Sequence, residues 1–434
     1  MRRLLYVNLD FPPMSGPGIW RAFSFAKYLP ENGYALTVLC SDRSPSRSRY
    51  DDALLGELPE VTQVHRITSR FQGDLQKHTD AIGDLPLPRP LKRPAVRAGK
   101  LFIHHYPDAQ FHWAMKVAAK GAALVRRGEI DAMFTSGPPH VAHLAGLIVR
   151  GTKQIPWVMD YRDLWSDDRV QIKQTSYQQA FFERVEARVV KTVDGIVCVS
   201  PGYRDHLAER FGLPASKFHV IRNGHDIPAE LLAAADERPK NTRLHLHFNG
   251  TPQYTHPFGL VVDTVARIVE SHGRSRAPLV TFTGFPAKLA EQVEAKGLED
   301  LVQNVGHMSR DDSIRYSLGC DVLIAMVNDA NPLYRGTIPG KAYEALALGR
   351  HLLALLPKGS VVGPMIDEAK NGTLVNVGNP DEAYRAVVRL VERFEAGTLH
   401  DQDPALRART AEKYSRRAQA RQLAEVLDTY VRTA

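Results

Sequence analysis

The chain has 434 residues, too many for one ordinary hydrophobic core, so two domains are predicted. An apolar fraction of 44% and a charged fraction of 24% are those of a globular protein, and the absence of any run of about 18 uncharged apolar residues argues against a transmembrane helix. The net charge of +8 predicts an anionic partner, while the lack of an aromatic-interleaved basic motif argues against nucleic acid.

Met1–Asp10 carries two arginines and a short apolar run, the outline of a secretion signal. It ends in Asp10 and Pro12-Pro13 without a small-residue cleavage site, so it reads as a first buried strand, Leu4–Leu9. A helix over Trp20–Leu29 follows, then strands Ala35–Cys40 and Val61–Ile67. Between Asp84 and Asp108 no acidic residue occurs, but Arg89, Lys92, Arg93, Arg97 and Lys100 do, followed by Leu101-Phe102-Ile103. Such a segment suits an anionic membrane surface or a solvated helix face. The alternation resumes with helix Phe111–Arg127, strand Ala132–Thr135, helix Val141–Arg150 and strand Trp157–Asp160. Helix Gln178–Thr192, strand Gly195–Ser200, helix Tyr203–Glu209 and strand Phe218–Ile221 lead to the turn dipeptide Asn223-Gly224.

Asp226–Asn241 is rich in Ala, Pro and charge and reads as a linker. Then come strand Leu244–Phe248, helix Leu260–Ser271, strand Leu279–Thr283, helix Ala287–Ala295, the apolar Val302–Val305, helix Asp311–Leu318 and strand Val322–Met326. A Gly/Pro loop with its helix, strand His351–Leu355, helix Asp381–Phe394 and a last helical stretch Ala411–Val431 complete the chain. Strands alternating with helices predict two doubly wound parallel sheets. The expected domains are 1–226, a linker 227–243, 244–404, and a C-terminal helix 405–434 that packs back on the first. Cys40, Cys198 and Cys320 are widely spaced and read as buried thiols, which suits a reducing cytoplasm and offers no zinc or disulfide framework.

The strongest chemical signal is Tyr334–Gly349, where a loop with Gly336 and Gly340 runs into a helix. Arg335 and Lys341 can neutralise a diphosphate at that helix N-terminus, and Glu344, read here as a first-turn residue, can accept from two ribose hydroxyls or serve its own helix dipole. Gly284 and Gly306, each just past a strand, extend the same rim. Gly16-Pro17-Gly18, after the first strand, is an anion-approach loop or a tight turn. His140 and His143, three apart after Ser136-Gly137-Pro138-Pro139, are candidate catalytic groups that orient a hydroxyl; no further ligand near them predicts a metal. Asp160, Arg162 and Asp163 at a strand end are candidates for binding the acceptor or for an ion pair.

These motifs, in order, resemble the GT-B glycosyltransferases of retaining family 4. Phe11-Pro12-Pro13 with Gly16–Arg21 resembles the N-terminal glycine loop. Val220-Ile221-Arg222-Asn223-Gly224-His225-Asp226 resembles the segment closing the acceptor domain, and His247-Phe248-Asn249-Gly250 the strand opening the donor domain. Lys341-Ala342-Tyr343-Glu344-Ala345-Leu346-Ala347-Leu348-Gly349 resembles the family's K-x-x-E-x-x-A-x-G helix start. The resemblance implies two Rossmann-like domains facing a cleft, with a final helix crossing back. It implies sugar transfer with retention from a nucleoside diphosphate sugar to a hydroxyl, without metal or other cofactor, in cell-surface polysaccharide or glycolipid synthesis. A specialised-metabolite acceptor and a non-catalytic nucleotide-sugar-binding protein are the alternatives. By resemblance Glu344 holds the ribose, the backbone at Met308 meets the base, Gly16 and Gly18 meet the phosphates, His140 or His143 stands by the reacting hydroxyl, and Gly250, Gly284, Gly336, Thr337 and Ile338 line the donor. The buried thiols suit a cytoplasmic placement, and the basic segment suits a membrane-side, lipid-linked acceptor and hence peripheral contact with the inner membrane face. Two departures stand out: Gly336 occupies the position of the family's first glutamate, and the Arg and Lys that often follow the donor-domain glycine are missing after Gly250. Arg335 and Lys341 are then the main phosphate candidates.

Overall fold

The computed structural model describes residues 1–16, 18–42, 50–68, 88, 110–167, 176–237, 239–250, 256–284 and 286–431. The basic cluster Arg89, Lys92, Arg93, Arg97 and Lys100, and residues 251–255 after Gly250, lie outside them. The chain forms two compact units. The first comprises Met1–Val199, Tyr203–Ile221 and Gln419–Ala434; the second comprises Ser200–Gly202 and Arg222–Ala418.

In the first unit, β1 (Arg2–Val7), β2 (Tyr34–Ser41), β3 (Thr62–Ile67), β4 (Ala132–Gly137), β5 (Trp157–Tyr161), β6 (Gly195–Cys198) and β7 (Phe218–Val220) form one sheet in the order β3-β2-β1-β4-β5-β6-β7. Every pairing is parallel. Parallel strands covered on both faces are largely apolar, as β1, β4 and β5 are over 4–7, 132–134 and 157–159, with the polar Thr135, Ser136 and Asp160 near the carbonyl ends. Gly146, on the Val141–Thr152 helix, lets that helix close on the sheet: a β-carbon there would lie 2.6 Å from the Trp157 ring. Leu4, Tyr6, Phe25, Val38 and Phe134 share one core with Ala420, Leu423, Ala424 and Leu427 of the last helix, Arg416–Val431.

In the second unit, β8 (His245–Phe248), β9 (Leu279–Phe282), β10 (Val302–Asn304), β11 (Val322–Met326), β12 (His351–Leu356) and β13 (Gly372–Asn376) pair in the order β10-β9-β8-β11-β12-β13, again all parallel. Alternate residues face opposite cores. Val322, Ile324 and Met326 join the core beneath the helices Phe258–His272 and Pro380–Glu395. Leu323 and Ala325 join the core beneath the helix Gly340–Ala347.

The expected doubly wound parallel sheets are present, with three differences of detail. The stretch read as a linker contains a helix, Ala229–Ala234, whose Leu231 is buried in the second unit. The last helical stretch is two helices, Pro404–Lys413 and Arg416–Val431, and the chain passes to the first unit after Ala418. The helix Gly363–Ala369 and strand β13 were not anticipated, because each is short and carries few apolar residues.

Where the chain leaves the second unit, two segments pair. His225 N–H donates to Tyr414 O at 3.0 Å and Arg416 N–H to His225 O at 2.9 Å. A β-carbon at Gly224 would sit 2.4 Å from Tyr414 O, so only glycine permits this approach.

Leu423 has no exposed surface. Leu423→Ala should cost about 2–5 kcal/mol, read as a lower urea midpoint; an unchanged midpoint would show that the last helix does not complete the first core.

Candidate functional site

In the first unit the strand ends converge on a buried polar node. After β1 the chain turns at Gly16, whose φ of 144° suits glycine, and Ile19 N–H returns to Gly16 O at 3.0 Å. The helix Trp20–Tyr28 then starts, placing Arg21 in its first turn. The Arg21 guanidinium grips Asp160 at the end of β5, with Nε to Oδ2 at 3.0 Å and Nη2 to Oδ1 at 2.8 Å, and Nη2 also donates to Ile221 O at 3.0 Å. Ser136 Oγ of β4 donates to Asp160 Oδ2 at 2.8 Å. Asp160, a candidate for acceptor binding or for an ion pair, makes an ion pair: it is fully buried with both oxygens engaged, and it joins β4, β5 and the first helix. Arg162 is also buried; its N–H donates to Gly137 O at 3.0 Å and its guanidinium to Gly18 O, tying two loops together. Asp163 is exposed.

His140 ends the loop after β4, just before the helix Val141–Thr152, and His143 lies in that helix's first turn. Their rings are 5.5 Å apart. Trp157 Nε1 donates to Thr135 Oγ1 at 3.0 Å, and His143 Nδ1 lies 2.8 Å from the same oxygen. Thr135 Oγ1 thus bridges the indole N–H and the His143 ring. His143 Nε2 and His140 Nδ1 are buried and without hydrogen-bond partners. Both face Gly137, where a β-carbon would lie 2.8 Å and 2.6 Å from them. Trp165 stacks on His140 at 5.1 Å and 14°, and Tyr161 lies 5.8 Å away. Burial pushes the His143 pKa down to about 3 and holds His140 well below its ordinary value, with His143 and Arg162 lowering His140 further. Both rings are neutral near pH 7, able to orient a hydroxyl but not to act as a cation.

In the second unit the candidate donor residues gather at the C-terminal ends of the strands. Gly250 N–H after β8 donates to Thr283 Oγ1 at 2.8 Å, which binds the loop after β8 to the end of β9 beside Gly284. Gly306, with φ 78°, and half-buried Met308 follow β10. After β11 the chain forms a 3-10 turn, Pro332–Gly336, and the helix Gly340–Ala347 follows Thr337 and the buried Ile338. No side chain caps this helix N-terminus, which leaves its dipole open to an anion. Glu344 is thus one turn further in than expected, because the helix begins at Gly340. Its Oε2 lies 3.3 Å from Lys341 Nζ, both side chains being about a third exposed. The Lys341 stem passes 3.7 Å from where a Gly250 β-carbon would stand, so Gly250, Lys341 and Glu344 form one cluster. Arg335 is exposed, its Nε turned to Pro332 O at 3.1 Å. Gly336 is buried, its Cα 3.0 Å from where a β-carbon of Gly202 would be, a backbone-to-backbone contact. Among the described residues no group of three or more His, Cys, Asp or Glu could hold a metal ion, and no helix is long and apolar enough to cross a membrane.

Sequence reading missed the site roles of Arg21, Ser136, Thr135 and Thr283. Arg21 stood in the quoted glycine loop, but nothing local names its partner 139 residues away.

The Glycosyltransferase Family 4 model matches residues 20–228 and the Glycosyl transferases group 1 model matches residues 245–393. No curated protein sequence matches significantly. Sucrose-phosphate synthase from Thermosynechococcus elongatus is similar in structure, with a TM-score of 0.67 at 14% identity over 100% of both chains. A glycosyltransferase from Rickettsia africae has a TM-score of 0.66 at 13% identity, over 100% of this chain and 99% of its own. Anabaena HepE, solved in complex with UDP and glucose, has a TM-score of 0.63 at 15% identity, over 99% of this chain and 100% of its own. At these identities the structural likeness establishes the fold.

Arg21→Met should cost about 3–5 kcal/mol, because it leaves the Asp160 carboxylate buried without its cation; a urea midpoint like that of the wild type would show that the pair is not essential. The depressed pKa of His143 and of His247, each pushed down to about 3 by burial, also sets a pH dependence. Above about pH 6.5 both folded and unfolded imidazoles are neutral and contribute nothing. Between about 6.5 and 3 the unfolded chain takes up protons that the folded chain refuses, so stability falls as pH falls, with a limiting slope of about 1.4 kcal/mol per pH unit per histidine. Urea midpoints at several pH values should show this fall, shallower in His143→Gln; equal slopes would contradict the burial of a neutral ring.

Proposed function

We propose that this chain, which belongs to the family 4 glycosyltransferases and has their GT-B fold, transfers a sugar from a nucleoside diphosphate sugar to a hydroxyl acceptor with retention and without a metal ion. The observation that carries the donor reading is the cluster at the end of β11: an uncapped helix N-terminus, Lys341 beside it, and a partly exposed Glu344 one turn on. A carboxylate there offers two acceptor oxygens to the vicinal hydroxyls of a ribose, while the helix N-terminus, Lys341 and exposed Arg335 serve the diphosphate. Thr337 and Ile338 line the approach, the backbone at Met308 is the candidate contact for the base, and Gly250 and Gly284 keep the strand ends open. UDP is the first donor base to test, because HepE is solved with UDP and with UDP-glucose.

In the first unit, Gly16 and Gly18 are the candidate phosphate contacts. Arg162 and Asp163 lie on the acceptor side, and His140, the less enclosed of the two histidines, is the candidate group beside the acceptor hydroxyl, with His143 behind it. A neutral imidazole fits a retaining reaction in which a donor phosphate oxygen takes the acceptor proton, since the ring then has only to orient the hydroxyl. The basic stretch from Arg89 to Lys100 suits a lipid-linked acceptor at an anionic membrane, and hence polysaccharide or glycolipid synthesis at the inner membrane face. A second reading, nucleotide-sugar binding without transfer, is favoured by Gly336 standing where the family carries a glutamate.

Isothermal titration should register UDP or GDP, and product mass spectrometry with UDP-glucose and a hydroxyl acceptor panel should separate transfer from binding alone. Binding to no nucleoside diphosphate would sink both readings. Glu344→Ala should weaken binding by about 1–3 kcal/mol, roughly 5- to 150-fold; an unaltered affinity would remove the ribose role.

A further inference from the structure

Glu186 has no part in the site described so far, yet it is fully buried within the helix Ser176–Thr192. A carboxylate is tolerated there only if its oxygens are satisfied. Tyr161 OH donates to Oε1 at 2.8 Å, the Ser166 hydroxyl donates to Oε2, and Arg210 Nη1 stands 3.3 Å from Oε2. Arg210 also donates to Ser166 Oγ at 2.7 Å and to Asp167 Oδ2 at 2.5 Å, and His206 Nε2 meets the same Asp167 oxygen at 2.8 Å.

Tyr161 and Ser166 are the two ends of one short segment. Between them, Arg162 ties down Gly137 and Gly18, the Leu164 carbonyl accepts a hydrogen bond from the His140 ring, and Trp165 stacks on His140. Phe182, one turn before Glu186, packs against Trp165 at 6.0 Å. One carboxylate therefore fixes both ends of the segment that walls in the histidine pair.

We propose that Glu186 is a positioning residue, holding the Tyr161–Ser166 segment so that Trp165 and the Leu164 backbone keep His140 stacked and enclosed. The functional importance of that geometry rests on the reading of His140 as the acceptor-side group. The groups facing the His140 ring are His143 from its own helix, Tyr161, Arg162, Leu164 and Trp165 from the β5 segment, and Gly137 from the end of β4.

The emission of the wild type less that of Trp165→Phe isolates the Trp165 signal, and an imidazolium against an indole quenches it. Followed from about pH 8 to about pH 5, the range in which an ordinary histidine titrates, the wild-type signal should stay flat. In Glu186→Ala, Tyr161→Phe and Ser166→Ala it should titrate, with a midpoint rising toward the ordinary value of about 6.5; His140→Gln in the same backgrounds should abolish the titration. Flat profiles in folded variants, or a titration that survives His140→Gln, overturn the proposal. If Glu186→Ala fails to fold, the two hydroxyl variants decide it: Tyr161→Phe removes one hydrogen bond to Glu186, and Ser166→Ala removes its bonds to Glu186 and Arg210. Failure of the wild type to bind UDP would remove the glycosyl-transfer reading and leave the fluorescence outcome to judge Glu186 separately.

Discussion

Parallel pairing is the constraint from which the arrangement of this protein follows. When all strands of a sheet run one way, all their carbonyl ends open on one edge, and every return must cross a face as a helix or loop. Both sheets obey this, and in both the strand order reverses direction at one point, between β1 and β4 and between β8 and β11. Crossovers leave such a point in opposite directions, which opens a crevice at the carbonyl edge. The candidate site residues lie there: Gly16 after β1 and His140 after β4, Gly250 after β8 and the Lys341–Glu344 pair after β11. Glycine is frequent at these ends because the loops turn within a few residues and because neighbouring side chains pass close by, as Lys341 does at Gly250.

Much of this was legible in the sequence, for a physical reason. Strands buried on two faces must be apolar without interruption, so β11 and β12 announce themselves, and the glycine loops mark where they end. Residues that act through distant partners were not legible. Asp160 looks like a ligand-binding carboxylate until Arg21 is placed against it, and Glu186 looks like one more polar residue on a polar helix until its burial is seen. The helix Ala229–Ala234 was hidden for a similar reason: its Ala, Pro and charge content resembles a tether, and only the packing of Leu231 shows otherwise. The position of Glu344 relative to its helix start was misjudged by one turn, because Pro339 and Gly340 look alike as loop residues although Pro339 is the N-cap and Gly340 the first helical residue.

The two departures from the family pattern act in opposite directions. Loss of the cations after Gly250 weakens the positive field available to a diphosphate; loss of a carboxylate at Gly336 removes a negative charge from the same neighbourhood. What remains near the helix N-terminus is a lysine and a glutamate 3.3 Å apart, a nearly neutral pair, with exposed Arg335 and the helix dipole as further sources of positive potential. The close backbone approach of Gly202 to Gly336 fits a position where a side chain has been given up for packing.

The shared core of β1 and the last helix bears on how the protein is made. Leu4, Tyr6 and Phe134 share their core with Leu423 and Leu427, so the first unit cannot finish that core until the helix Arg416–Val431 has been made. The second unit, complete at Ala418, has every partner it needs before then. Synthesis from the N-terminus usually lets domains fold in the order they emerge. Here the order is not simple: part of the first unit's core is supplied by the helix Arg416–Val431, which follows the whole second unit in the chain.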